Sequence, residues 1–298
     1  MRGWPAIALL LALGGCGAPP ALLASGPVPG DTLAVEAVGP LFEDARALAL
    51  DPTGALTVAD AGAATVVVLE ANGSLRSTFG GPGTGDYAFL DPSDVDPGNG
   101  LVLTVADAGN GRIQRFSRDG RLLDSTPVPT TRGRASSEQG DGRPIAVVAA
   151  VTGELFAVEE TEGVVLRWDA RRRLDRVVGG MDAGEGALRS PVGLALGPDG
   201  RLFVADRGHA AVLVYDAFGE YLGRIGDGWA REAVSVAVVG ERLAVVLPRA
   251  VRLYGLDGRL LDVLVPAAGA PLVDVAGADG ALFVLTRNRL FSSDAALR

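Results

Sequence analysis

Four carboxylates recur along this chain, each closing a short apolar run: Asp60 and Asp107 end LTVAD, Glu159 ends LFAVE and Asp206 ends LFVAD. Oxygen ligands drawn from several such runs suit a hard cation such as Ca2+. On that reading Asp107, Asn110 and Asp206 hold the ion and support a metal-dependent hydrolase. An acid at the end of a strand has a second use, in which its oxygens accept hydrogen bonds from the backbone amides of the turn that follows. Recurrence favours the turn, because a catalytic group is needed once and a turn is needed in every repeat. Arg207 and His209 follow Asp206, and the imidazole is either a general base beside an arginine or a further turn residue.

Other chemistry is excluded by what the 298 residues lack. There is one histidine, so a single chain cannot build a zinc centre from several imidazoles. There is one cysteine, Cys16, and hence no intramolecular disulfide. All 27 basic residues are arginine, which removes any Schiff-base lysine. The net charge of −9 opposes a nucleic-acid-binding surface. Gly80–Gly85 joins strands instead of opening a helix, so no phosphate-binding loop is expected, and no Gly-x-Ser-x-Gly elbow occurs. Asp94-Val-Asp96-Pro-Gly-Asn99 lacks the spacing and terminal Glu of a calcium loop and reads as a strand running into its turn. No organic cofactor is expected.

The elements that must carry these residues are clearest between Ser190 and Asp227. Four apolar runs, Val192–Leu196, Leu202–Ala205, Ala211–Tyr215 and Tyr221–Ile225, are separated by Pro198-Asp199-Gly200 and Phe218-Gly219-Glu220 among other turn signals. Four short strands joined by hairpins make one blade of a propeller. The opening residue of the second strand recurs as Leu56, Leu103, Leu155, Leu202, Leu243 and Leu282, at intervals of 47, 52, 47, 41 and 39 residues. Thirteen residues after each of the first four stands Leu69, Phe116, Trp168 or Tyr215; Tyr254 and Phe291 take that role at shorter spacing. The chain ends after three strands of the sixth blade. Thr32–Val38 is therefore expected to return as its outer strand, giving an all-β, six-bladed propeller of four-stranded antiparallel blades across 31–298. One chain completes the ring, so a monomer is expected.

Gly83-Thr-Gly85-Asp86-Tyr87-Ala88-Phe89-Leu90-Asp91-Pro92 and Leu103-Thr-Val-Ala-Asp107-Ala-Gly109-Asn110-Gly-Arg112-Ile113-Gln114, echoed by Gly184–Leu196 with Phe203-Val-Ala-Asp206, resemble the NHL-repeat family of six-bladed propellers. Blade 3 departs through Glu159, and blades 5 and 6 lack the motif. The resemblance implies the fold; the family includes scaffolds, binding domains and lyases. At the N-terminus, Arg2 and the apolar Ala6–Leu13 form a short export signal. Leu13-Gly14-Gly15-Cys16 resembles a bacterial lipoprotein lipobox, which implies acylation of Cys16 and a lipid anchor outside the cytoplasm. Residues 1–15 are then the signal peptide and 16–30 a Pro- and Gly-rich tether.

Alternating strand directions place the second-strand ends and the connections between blades on one face. That face also carries Tyr87, Arg132, Arg134, Arg143 and Trp229. The expected function is a membrane-anchored, extracytoplasmic binding or scaffold module for a protein, peptide or glycan. The alternative is a Ca2+-dependent hydrolase, lactonase or lyase working at the central channel. Arg171-Arg172-Arg173, in place of a glycine turn in blade 3, belongs to the opposite face as a solvated turn or a contact for an acidic partner or lipid headgroup.

Overall fold

A computed structural model describes residues 30–130, 141–226, 228–278 and 280–293. Two short strands, β1 (Asp31–Leu33) and β2 (Glu36–Val38), precede the ring. Blade 1 holds β3 (Ala45–Leu50), β4 (Leu56–Asp60), β5 (Thr65–Leu69) and β6 (Leu75–Gly80). Blade 2 holds β7 (Pro92–Asp96), β8 (Val102–Asp107), β9 (Arg112–Ser117) and β10 (Leu122–Pro127). Blade 3 holds β11 (Pro144–Ala149), β12 (Leu155–Glu159), β13 (Val164–Trp168) and β14 (Leu174–Val178). Blade 4 holds β15 (Pro191–Leu196), β16 (Leu202–Asp206), β17 (Ala211–Tyr215) and β18 (Tyr221–Ile225). Blade 5 holds β19 (Ser235–Val239), β20 (Arg242–Leu247), β21 (Ala250–Gly255) and β22 (Leu260–Pro266). Blade 6 holds β23 (Leu272–Ala278), β24 (Ala281–Thr286) and β25 (Leu290–Ser293).

The second strands are apolar on both faces because each blade packs against two neighbours: β4, β12 and β16 are buried along their whole length. The outer strands β6 and β14 are mostly exposed. Six hydrophobic clusters follow, one at each blade-to-blade interface. The large residue closing the third strand sits opposite the opening leucine of the second, as in Leu103 with Phe116, Leu155 with Trp168, Leu202 with Tyr215 and Leu243 with Tyr254. Blade 6 departs from the expectation. Leu282 faces Ser293, and Phe291 pairs instead with Val284 and with Ala37 of β2.

Ring closure is also divided in a way the continuous run Thr32–Val38 does not announce. β2 lies antiparallel to β25 and completes blade 6. β1 instead lies parallel to β22, as a fifth strand on blade 5. Leu33 is buried in the cluster between those two blades, so the segment crosses the seam it seals.

Candidate functional site

The recurrent acids tie each blade to the connection that precedes it. Asp206 is fully buried and accepts from Arg189 N at 2.7 Å, Ser190 N at 3.2 Å and His209 N at 2.9 Å. Asp60 accepts from Glu43 N and Asp44 N at 2.9 and 2.8 Å, and Glu159 accepts from Arg143 N, Thr161 N and Glu162 N. Asp107 Oδ1 accepts from Leu90 N at 3.0 Å. Its Oδ2 takes Asn110 Nδ2 at 2.6 Å and the Arg112 guanidinium at 3.2 Å. A guanidinium and an amide already fill the positions a cation would take, so these oxygens present no open donor set for Ca2+. Asp107 and Asn110 are brought together, whereas Asp206 bonds within blade 4 and its own connection. Among the described residues no three His, Cys, Asp or Glu side chains gather as metal ligands.

The other candidates on that face are held individually. Tyr87, at φ 63°, packs on Phe116 and accepts from Leu122 N at 3.3 Å through its hydroxyl. Arg143 bridges Asp91 and Glu160. Arg207 donates to Ala233 O at 2.6 Å and lines a 280 Å3 polar cleft with Arg189, Glu160 and Glu162. His209 Nδ1 lies 3.5 Å from Asp206 Oδ1 without a hydrogen bond. Trp229 stacks on Tyr254 with ring centroids 5.4 Å apart, beneath the Arg252 guanidinium, and packs against the core between blades 4 and 5. Cys16, Arg132 and Arg134 lie outside the described residues.

A cavity of about 790 Å3 forms the central channel. Its walls are the six innermost strands β3, β7, β11, β15, β19 and β23. It includes the turn after β11, where Val151 is 89% exposed, and reaches the turn between β17 and β18, where Phe218 is 66% exposed. Of the expected ligand-face residues Tyr87, Arg143, Arg207, His209 and Trp229, none lines it.

Four carboxylates line this channel, Glu154 in the turn after β11 and three on the inner strands. Asp94 Oδ2 accepts from Val147 N of the next blade at 2.6 Å, and Asp96 Oδ2 from Ala149 N at 2.5 Å. Asp274 accepts from Leu48 N at 2.8 Å and from the Ser235 hydroxyl. The free inner edge of each first strand explains these bonds: its amides have no neighbouring strand, and a carboxylate from the adjacent blade supplies the acceptor. Asp94 and Asp96 touch channel solvent but are enclosed by blade atoms. Burial, then the Asp274 charge, holds the Asp94 carboxyl well above the usual carboxylate range. Burial raises Asp96 too, and it pushes Asp274 up to about 6. A cation entering the channel would meet acids whose ionisation burial opposes. The signal for this group is an acid inside an inner strand otherwise apolar, seen in PSDVD and LVDVAGA and absent from the other four first strands.

The NHL repeat matches residues 188–215, the stretch leading into blade 4 and through β17. The chain is a six-bladed β-propeller carrying an NHL repeat. No curated protein sequence matches it. Solved structures share its architecture at low identity. A gluconolactonase from Xanthomonas campestris superposes with a TM-score of 0.61 and 17% identity over 86% of this chain and 86% of that one. Virginiamycin B lyase from Staphylococcus aureus gives 0.59 and 13%, over 84% of this chain and 83% of the lyase. A chain of the nidogen/laminin complex gives 0.59 and 15%, over 78% and 84%. At these identities the propeller itself is what is shared.

Proposed function

We propose that this propeller is a binding module, tethered to a membrane through acylated Cys16, that takes a basic, amphiphilic peptide segment into its central channel. The channel carries the reading. Its volume of about 790 Å3 lies in the range of small-ligand sites, roughly 300–1,000 Å3. Apolar walls and the exposed Val151 and Phe218 suit aliphatic or aromatic side chains, while Asp94 and Asp274 suit an ammonium or guanidinium group. Binding a cation there favours the ionised acids, so protons leave as the ligand arrives.

The test is calorimetry with a capped Leu-Lys-Leu peptide and its Leu-Gln-Leu counterpart, in buffers of different ionisation enthalpy. The lysine peptide should bind with proton release, and Asp94→Asn or Asp274→Asn should weaken it by about tenfold or more. Equal binding of the glutamine peptide, or unchanged affinity in both variants, defeats the reading. For the tether, labelling with an alkyne-bearing fatty acid should be lost in Cys16→Ser.

A hydrolase in the same channel is the second reading, supported by Asp274, whose titration near neutrality suits proton transfer. A screen of lactones and esters tests it, with turnover abolished in Asp274→Asn as the expected result.

A further inference from the structure

The polar cleft of 280 Å3 opens at one mouth of the channel, because Ile145 and Val192 line both cavities. Strand register sets the relative depth of the groups around it. Pro92, Pro144, Pro191 and Leu272 each pair with the last residue of their second strand, Asp107, Glu159, Asp206 or Thr286. Ile145 and Val192 come one residue after that level, and Asp94 and Asp274 come two. The channel acids therefore lie one strand residue, about 3.3 Å, further in than the residues shared with the cleft.

The two walls of the cleft differ in charge. Blade 3 supplies Glu160 and Glu162 from the turn after β12, whereas the connection entering blade 4 supplies Arg189, and Arg207 follows β16. Backbone contacts hold the two arginines as neighbours. Arg207 N donates to Ser190 O at 3.0 Å, and Arg189 N donates to Asp206 at 2.7 Å. Arg189 Cβ lies so close over Gly208 that a Cβ added there would come within 2.4 Å of it. Other arginines at this end of the ring are engaged: Arg46 pairs with Asp44 at 2.6 Å, and Arg143 bridges Asp91 and Glu160. Arg207 gives its Nε to Ala233 O, but among the described residues no carboxylate pairs with Arg189 or Arg207.

We infer, resting on the peptide reading of the channel, that the ligand has a free C-terminus whose α-carboxylate is held by Arg189 and Arg207, while the preceding basic side chain reaches Asp94 and Asp274. Guanidinium donors match the two oxygens of a carboxylate. Glu160 and Glu162 across the cleft repel a dianion such as phosphate more than a singly charged group, so a carboxylate is the anion that fits. The one-residue step from the mouth to the acids suits adjacent positions of an extended peptide.

Calorimetry on the full chain tests this with acetyl-Leu-Lys-Leu as the free acid and as its C-terminal amide. The acid should bind at least about fivefold more tightly than the amide. Arg189→Gln and Arg207→Gln should each reduce that preference while leaving the affinity for the amide as in the parent. Arg189→Gln should also keep the parent's melting temperature, since its guanidinium has no ion pair to lose among the described residues. Asp94→Asn should weaken acid and amide alike, so their ratio stays. Equal binding of acid and amide by the parent, or a preference unchanged in both arginine variants, overturns this inference and leaves the channel reading standing. Failure of both forms to bind overturns the two together.

Discussion

Replacing Asp206 with alanine strips the acceptor from three backbone N–H groups at once: Arg189, Ser190 and His209. The carboxylate is fully buried, and two of these amides belong to the connection entering blade 4. A hydrogen bond to a charged group contributes about 1.5–3 kcal/mol, and water admitted to the small void recovers part of it, so the net loss is about 3–5 kcal/mol. Asp206→Asn keeps one oxygen for Ser190 and His209 but sets an amide N–H2 against Arg189, and should lose about 2 kcal/mol. Urea unfolding followed by circular dichroism reads both, and by heat the alanine variant should melt about 6–15 °C lower. Two results refute the reasoning. One is an Asp206→Ala protein within about 1 kcal/mol of the parent. The other is Ca2+ stabilising the parent but not the variant, which would make Asp206 a metal ligand.

Asp274 should leave a pH signature. Its folded value of about 6 stands above the ordinary 3.8, so between those values the folded chain keeps a proton the unfolded chain has lost. Stability from this group is full below pH 3.8, falls by about 3 kcal/mol as pH rises to 6, and is level above it; the difference between parent and Asp274→Asn across that window in urea titrations isolates it. Gly226, at φ 74°, leaves room for Trp229, whose ring a Cβ would approach to 2.1 Å. Gly226→Ala should therefore cost about 2–4 kcal/mol and red-shift tryptophan emission as the ring leaves Tyr254. Removing residues 31–38 uncovers the edges of β25 and β22, and size-exclusion chromatography should show aggregates that the parent does not form.

The blades were legible because their signals are local. Glycine at the fourth place of a turn and leucine thirteen residues before an aromatic each report on a single hairpin. Blade 6 misleads because Leu282 pairs eleven residues downstream, as Leu243 does in blade 5, but the residue standing there is Ser293 and the aromatic Phe291 lies two positions earlier on the strand. The recurrence of Asp60, Asp107, Glu159 and Asp206 was equally plain. Their grip on amides 16 and 17 residues upstream was not, because it depends on how one blade's entry lies over its own second strand. Asp94, Asp96 and Asp274 were hardest to read. An acid in an inner strand gains its meaning from the adjacent blade's unpaired amide, and nothing in PSDVD or LVDVAGA names that neighbour.

The parallel strand β1 also determines how the ring answers a mechanical load. Tension applied at residue 30 reaches the pairing of Asp31, Thr32 and Leu33 with Leu264, Val265 and Pro266 before it reaches β2. Along the strand axis those bonds are sheared together instead of being opened one at a time. The closing strand of blade 6 therefore stays unloaded until β1 gives way, so the propeller carries a sacrificial latch upstream of the contact that keeps it closed.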